Sequence, residues 1–188
     1  APAEKGAGKV LDVTDFGVQP DSGKDCVQGV RAAIEACRKH LPSTLVFPKG
    51  RYVFWAEHSE EIEYFESNTT DNNPKICPIV LKGITGLTIE GSGSTFICHG
   101  RMQPLTLENC HGVTVQNLDI DWDIPFVAQA RSVKVAKTFI DIRINKRECP
   151  FEIKDGKIFF FGEGWKSRWW GCMEFEAATR IIPQRSGD

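Results

Sequence analysis

Three aspartates at every second position, Asp119, Asp121 and Asp123 in "NLDIDWDIP" (117–125), are the residues whose type and spacing most suggest chemistry. On a strand, alternate side chains share a face, so the carboxylates line one side and Leu118, Ile120 and Trp122 the other. Neighbouring aspartates then lie roughly 7 Å apart. Inverting glycosidases hold their acid and base about 6.5–9.5 Å apart, with water between them. The spacing therefore suits sugar hydrolysis, or the binding of sugar hydroxyls. Acid catalysis also needs one carboxyl with a raised pKa, from burial or a like charge. The plainer alternative is a solvated polar strand, since any alternating acidic strand has this spacing.

Two further groups could act on sugars. His99, Arg101, Glu108 and His111 offer what a polysaccharide lyase needs in a base, but "CHGRMQ" (98–103) brings no acidic cage for calcium. His111 falls at a turn and is expected to be exposed. Trp165, Trp169 and Trp170 lie in "GEGWKSRWWGC" (162–172). An indole face can stack on the apolar face of a sugar, although tryptophan is as often a core residue. On a strand, adjacent Trp169 and Trp170 point to opposite faces, so one is expected buried and one exposed. The candidate substrate-binding residues are thus Asp119, Asp121, Trp169 and Trp170.

The elements that must position these residues are bounded by composition. The 188 residues are 41% hydrophobic and 26% charged, which supports a buried core. A net charge of −2 without a basic cluster argues against a nucleic-acid partner. No apolar run is long enough to span a membrane, and "APAEKGAGKV" reads as a mature or trimmed end. Seven cysteines occur without a CxxC pair, so zinc and thioredoxin chemistry are poor readings and buried free thiols the better one. "GSG" (91–93) precedes no helix, so it is no phosphate loop. No metal and no cofactor are expected. "NTT" (68–70) is a formal glycosylation sequon.

An internal repeat carries the fold reading. "PIVLKGITGLTIEG" (78–91) aligns with "PLTLENCHGVTVQN" (104–117) at an offset of 26 residues. Each copy holds two short alternating strands around a glycine turn. A period of this size with strands and no helix predicts a β-solenoid, its coils stacked about 4.8 Å apart. Leu87, Ile89, Phe96 and Cys98 should fill one coil, and Val113, Val115, Ile120 and Trp122 the next. Apolar residues at 26, 27, 30, 33, 34 and 37 predict a helix over 25–40, with Asp25 as cap and Gln28 in capping-box position. Its stripe would cover the open end of the solenoid. "STLVFPKGRYVFW" (43–55) reads as two strands about a Pro-Lys-Gly turn, and residues 56–76 as a polar loop. After Pro125 the repeat stops. "AQARSVKVA", "FIDIRIN", "KIFFFG" and "CMEFEA" predict strands of a separate antiparallel unit, with a hairpin at Asp155-Gly156.

"VTDFGVQPDSGKD", the helix, and "TLVFPKGRYVF" resemble the opening of pectin-lyase-like right-handed β-helix proteins. "LTIEGSGSTFICHGRMQP", "NLDIDWDIPFVAQA" and "GKIFFFGEGWKS" are similar to the α-1,3-galactosidases of glycoside hydrolase family 110. That resemblance implies an all-β chain: a parallel β-helix with a capping helix over 1–125, and an inserted small β-barrel over 126–188. It further implies exo-hydrolysis of terminal α-1,3-linked galactose, as in the blood group B antigen, with inversion and without metal. Members of this family are much longer, and their catalytic acids follow in later coils near a "DDG" segment that is absent here. The chain is therefore expected to be an N-terminal portion, inactive alone, with its catalytic residues beyond Asp188. A galactose-terminated glycan is the expected partner, and the unpaired last coil invites a second copy or the rest of the polypeptide. A bacterial, periplasmic or secreted location is expected. A polysaccharide lyase or galacturonan hydrolase on the same fold stays open, as does a non-catalytic carbohydrate-binding solenoid.

Overall fold

The computed structural model describes residues 8–65 and 73–184, and the sequon at 68–70 lies outside them. The chain is mostly strand, with one α-helix among the described residues. Contacts divide it into two units, residues 1–125 and 126–188.

In the first unit, β1 (Lys9–Asp12) leads through a single 3-10 turn to α1 (Val27–Arg38), then β2 (Ser43–Val46) and β3 (Arg51–Trp55). A short antiparallel pair follows, β4 (Glu60–Ile62) with β5 (Lys75–Cys77). The polar stretch 56–76 is therefore not all loop. Charge hid its strands, because Glu60, Glu61 and Lys75 interrupt any apolar alternation. Next come β6 (Ile79–Lys82), the long β7 (Leu87–His99), β8 (Leu105–Glu108) and β9 (Thr114–Trp122).

Apart from β4–β5, every ladder among the described residues of this unit is parallel. β1 pairs with β2, β2 and β3 both pair with β7, β7 pairs with β9, and β6 pairs with β8. The repeat appears directly as register: Ile79 lies opposite Leu105 and Thr88 opposite Thr114, each 26 residues on. Past the corner the offset drops to 24, with Phe96 opposite Ile120 and Cys98 opposite Trp122. The change is even, so the faces stay in phase. β7 takes the two extra residues in its bend, where Ser92 and Gly93 are left-handed at φ 52° and 78°, against Asn117 alone at 56° in β9. Gly91 is required there: a Cβ would sit 2.4 Å from the Leu118 Cβ and 2.6 Å from the Asn117 carbonyl.

The core follows from the alternation. Leu45, Phe47, Tyr52, Phe54, Leu87, Ile89 and Phe96 form one buried cluster with Val27, Val30, Ala33, Ile34 and Cys37 of α1. Phe47, Tyr52, Phe54 and Phe96 pack ring on ring at centroid distances of 4.8–5.9 Å. The helix thus lays its predicted stripe over β2 and β6. It begins one residue later than a cap at Asp25 requires, with Cys26 in the cap position and making no side-chain cap bond. Asp25 holds the Val27 amide at 3.2 Å, but its other bonds run to distant residues instead of closing a local box.

In the second unit, β10 (Ala130–Val135) pairs antiparallel with β11 (Ile140–Ile144). β12 (Phe151–Lys154), β13 (Lys157–Gly162) and β14 (Trp165–Arg168) form a meander. Asp155 and Gly156 turn the first hairpin at φ 51° and 69°, as a two-residue loop demands. "CMEFEA" (172–177) is no strand. Its alternation is intact, but no strand among the described residues offers it a ladder, and Met173 and Phe175 are exposed.

Candidate functional site

β9 turns its aspartates outward as the alternation requires, and Asp119, Asp121 and Asp123 are all exposed. Each acid has a different surrounding. Asp121 accepts the Trp122 backbone amide at 2.8 Å. Asp123 pairs with the Arg51 guanidinium at 3.3 Å, which reaches it from β3 past β7. Asp119 borders a shallow depression shared with Ser92, Gly93, Asn117 and Leu118. Both Asp119 and Asp121 are open to water, which suits hydrogen bonding to sugar hydroxyls better than general acid catalysis.

Beside Asp119, a polar corner is built around Glu90. Its carboxylate accepts the Ser92 amide at 2.8 Å, the Gln116 side chain at 2.8 Å and the Asn117 side chain at 2.9 Å. The Ser92 bond, then those from Gln116 and Asn117, hold the Glu90 carboxyl below the usual carboxylate range. This charged staple fixes the bend of β7 to that of β9.

At the far end of the same sheet, Trp55 of β3 lies opposite His99 of β7. The two rings stack with centroids 3.8 Å apart and planes 5° from parallel. The Trp55 backbone is tied down at both groups: its amide donates to Asp25 at 3.1 Å, and its carbonyl accepts from the Ser59 hydroxyl at 2.9 Å. Asp25 also holds the His58 ring at 2.8 Å, and Arg31 of α1 donates to the His58 carbonyl at 2.7 Å. Yet the Trp55 side chain remains 41% exposed. Sequence reasoning passed over this residue, because "RYVFW" reads as an ordinary strand. The available signal was its parity: it shares the outward face with Arg51, opposite buried Tyr52 and Phe54.

The remaining candidates are placed as follows. Trp169 and Trp170 follow the end of β14 in the second unit, and neither is buried, at 37% and 91% exposure. The expectation of one buried indole assumed a strand that stops at Arg168; the Trp169 ring N–H instead donates to the Gly171 carbonyl at 2.7 Å. Trp165 meets Phe126 edge-on at 6.0 Å. His111 is exposed and bridges Thr85 at the turn. The cysteines are all free thiols, Cys26, Cys37, Cys77, Cys98 and Cys149 of them buried. Burial pushes the Cys98 thiol up to about 12 and that of Cys26 up to about 11, so neither is a nucleophile at neutral pH. No helix among the described residues is long and apolar enough to cross a membrane.

Comparison with known proteins places this geometry. Residues 128–188 match the family model of the GLAA-B beta-barrel domain I. The chain is 46% identical, over 97% of its length, to alpha-1,3-galactosidase B of Bacteroides thetaiotaomicron. It is 36% identical over 93% to alpha-1,3-galactosidase A of Bacteroides fragilis, and 31% over 96% to alpha-1,3-galactosidase B of Akkermansia muciniphila. The chain spans 30% of the length of the first two relatives and 23% of the third. Over nearly all of its own length, then, it is similar to part of these longer alpha-1,3-galactosidases.

Proposed function

We propose that the chain is the N-terminal portion of an exo-acting α-1,3-galactosidase that removes terminal α-1,3-linked galactose from glycans of the blood group B type, with inversion. The observation that carries this reading is the 46% identity over 97% of the chain to a protein named alpha-1,3-galactosidase B. The stacked parallel ladders of β2, β3, β7 and β9 support its finer form, in which they are the first coils of a right-handed parallel β-helix. Residues 126–188 would be the inserted barrel, of glycoside hydrolase family 110 type.

In this reading the chain alone is inactive. The catalytic acid and base come from coils beyond Asp188, while Asp119, Asp121, Trp169 and Trp170 contact the glycan. The free edge of β9 pairs with the remainder of the polypeptide or, in its absence, with a second copy. The parent enzyme works in the periplasm or outside a bacterial cell.

The test is to supply the longer parent polypeptide with an α-1,3-galactosyl oligosaccharide and follow the anomeric signals of released galactose by proton NMR. Initial release of β-galactose is expected. No release, with calcium-dependent formation of unsaturated uronides from an acidic polysaccharide instead, would sink the reading in favour of a lyase.

A further inference from the structure

We infer that the free edge of β9 selects its partner by charge: it takes a strand with Lys or Arg at alternate outward positions in preference to a second copy of itself. The inference rests on the reading just given, in which that edge pairs with more polypeptide, and says which strand it accepts. The first ground is the edge. Among the described residues β9 pairs only with β7. The Asp123 amide donates to the Cys98 carbonyl of β7 at 3.2 Å. Successive strand amides point to opposite sides, so the Trp122 amide faces the free edge. On the inner side of this edge Ile120 is 38% exposed, and Leu118 and Trp122 are half-buried. Unpaired backbone beside uncovered apolar side chains invites another strand.

The second ground is parity. A second copy that joins this edge about a two-fold axis runs antiparallel and continues the sheet. Directly opposed residues of an antiparallel pair stand on one face. Every register that sets Leu118, Ile120 and Trp122 against their counterparts therefore sets acid against acid. With Ile120 on the axis, Asp119 of each copy meets Asp121 of the other. Their Cβ atoms then lie about 4.5–5.5 Å apart, where like charges oppose pairing. Asp123 is already matched by Arg51 at 3.3 Å, so the repulsion falls to Asp119 and Asp121, both exposed.

The third ground is the backbone itself. Asp121 accepts the Trp122 amide at 2.8 Å, so its carboxylate occupies an edge donor that a new ladder needs. A Lys or Arg opposite Asp121 draws the carboxylate to itself and frees the amide. A second carboxylate offers nothing in exchange. Strands of the same shape are thus told apart by their charge. In the proposed parent enzyme the accepted strand comes from beyond Asp188.

The experiment takes this chain and, as the basic partner, its double variant Asp119→Lys with Asp121→Lys. Each is run alone and in equal mixture by sedimentation velocity, at about 20 and about 500 mM NaCl, which changes the screening length several-fold. At low salt the mixed pair should associate at least about 10-fold more tightly than the unmodified chain with itself. Salt should weaken the mixed pair and strengthen self-association of the unmodified chain. Asp119→Asn with Asp121→Asn keeps the shape and should tighten self-association by about 10-fold. Circular dichroism checks folding, and if the lysine variant does not fold the asparagine variant alone decides. A mixture no tighter than the unmodified chain, from folded proteins, overturns the inference, and so does an asparagine variant no tighter than it. Neither outcome touches galactose release by the parent enzyme, so the galactosidase reading stands or falls separately.

Discussion

β7 and β9 have the same alternation and lie side by side, yet they are buried to different degrees. Phe96 is 3% exposed and its ladder partner Ile120 is 38% exposed. Cys98 is buried and its partner Trp122 half-buried; Ile89 is buried and Val115 half-buried. The side chains are of one kind, so the difference lies in neighbours. β7 has a strand on each side, β2 or β3 and β9, whereas among the described residues β9 pairs only with β7. In a row of parallel strands, a strand's burial is set by the strands beside it, and its own sequence alone does not determine it.

The largest expected contrast comes from truncating one residue in each strand. Phe96→Ala removes a ring packed against Phe47, Tyr52 and Phe54 and should cost about 3–5 kcal/mol. Ile120→Ala, at the equivalent rung, should cost about 1 kcal/mol in this chain, because much of its surface already faces water. Urea unfolding followed by circular dichroism reads both. Equal losses would mean that β9 is as well covered as β7, and would break the comparison.

The join between the two strands offers a second, smaller contrast. Gly91→Ala drives a methyl group into the Leu118 Cβ and the Asn117 carbonyl, at 2.4 and 2.6 Å, and should cost about 1–3 kcal/mol. Gly93→Ala meets nothing within 4 Å and bears only the strain of its left-handed φ of 78°, about 1 kcal/mol. If the two variants unfold at the same urea concentration, close approach of β9 at Gly91 is not what fixes the corner.

Particular residues show what was legible in the sequence. The 26-residue match of 78–91 with 104–117 gives the register of β6 on β8 and of the first half of β7 on β9, since those strands repeat apolar residues at fixed parity. The change to 24 was hidden, because it falls on Ser92, Gly93 and Asn117, corner residues with no apolar pattern. The phase of Phe96 and Ile120 was still right, since the change is even. "CMEFEA" shows the opposite limit: alternation tells which face a residue would take and not whether a partner strand exists. Asp25 shows a third. Its place before a helix predicts a local cap, but Trp55 and His58, which take most of its bonding, come 30 and 33 residues later. The candidate face was half legible for that same reason. The aspartates announce themselves within one strand, while the Trp55–His99 stack exists only once two strands 44 residues apart are paired.

The smallest effect concerns the outward rung at the corner, where β7 has Glu90 and β9 has Gln116. The folded Glu90 carboxyl lies below its ordinary value of 4.5, chiefly through the Ser92 amide and then Gln116 and Asn117. A depressed folded pKa means the unfolded chain binds a proton first as pH falls. The stabilisation is therefore whole above the ordinary carboxylate value and is lost as pH drops through the folded one. Glu152 behaves in the same direction through its Lys166 partner, so the acid limb of the whole chain has at least two contributors. Glu90→Gln keeps the shape and removes the charge. The variant should be slightly less stable than the parent chain at pH 7, and the two should converge as pH falls below about 4. Gln116→Glu makes the converse change on β9: it places a second carboxylate beside Glu90, should destabilise at pH 7, and should recover in acid. Thermal unfolding of both variants at pH 7 and at low pH measures this. A Glu90→Gln difference that persists unchanged into acid would mean that hydrogen-bond geometry holds the corner and the charge contributes nothing to it.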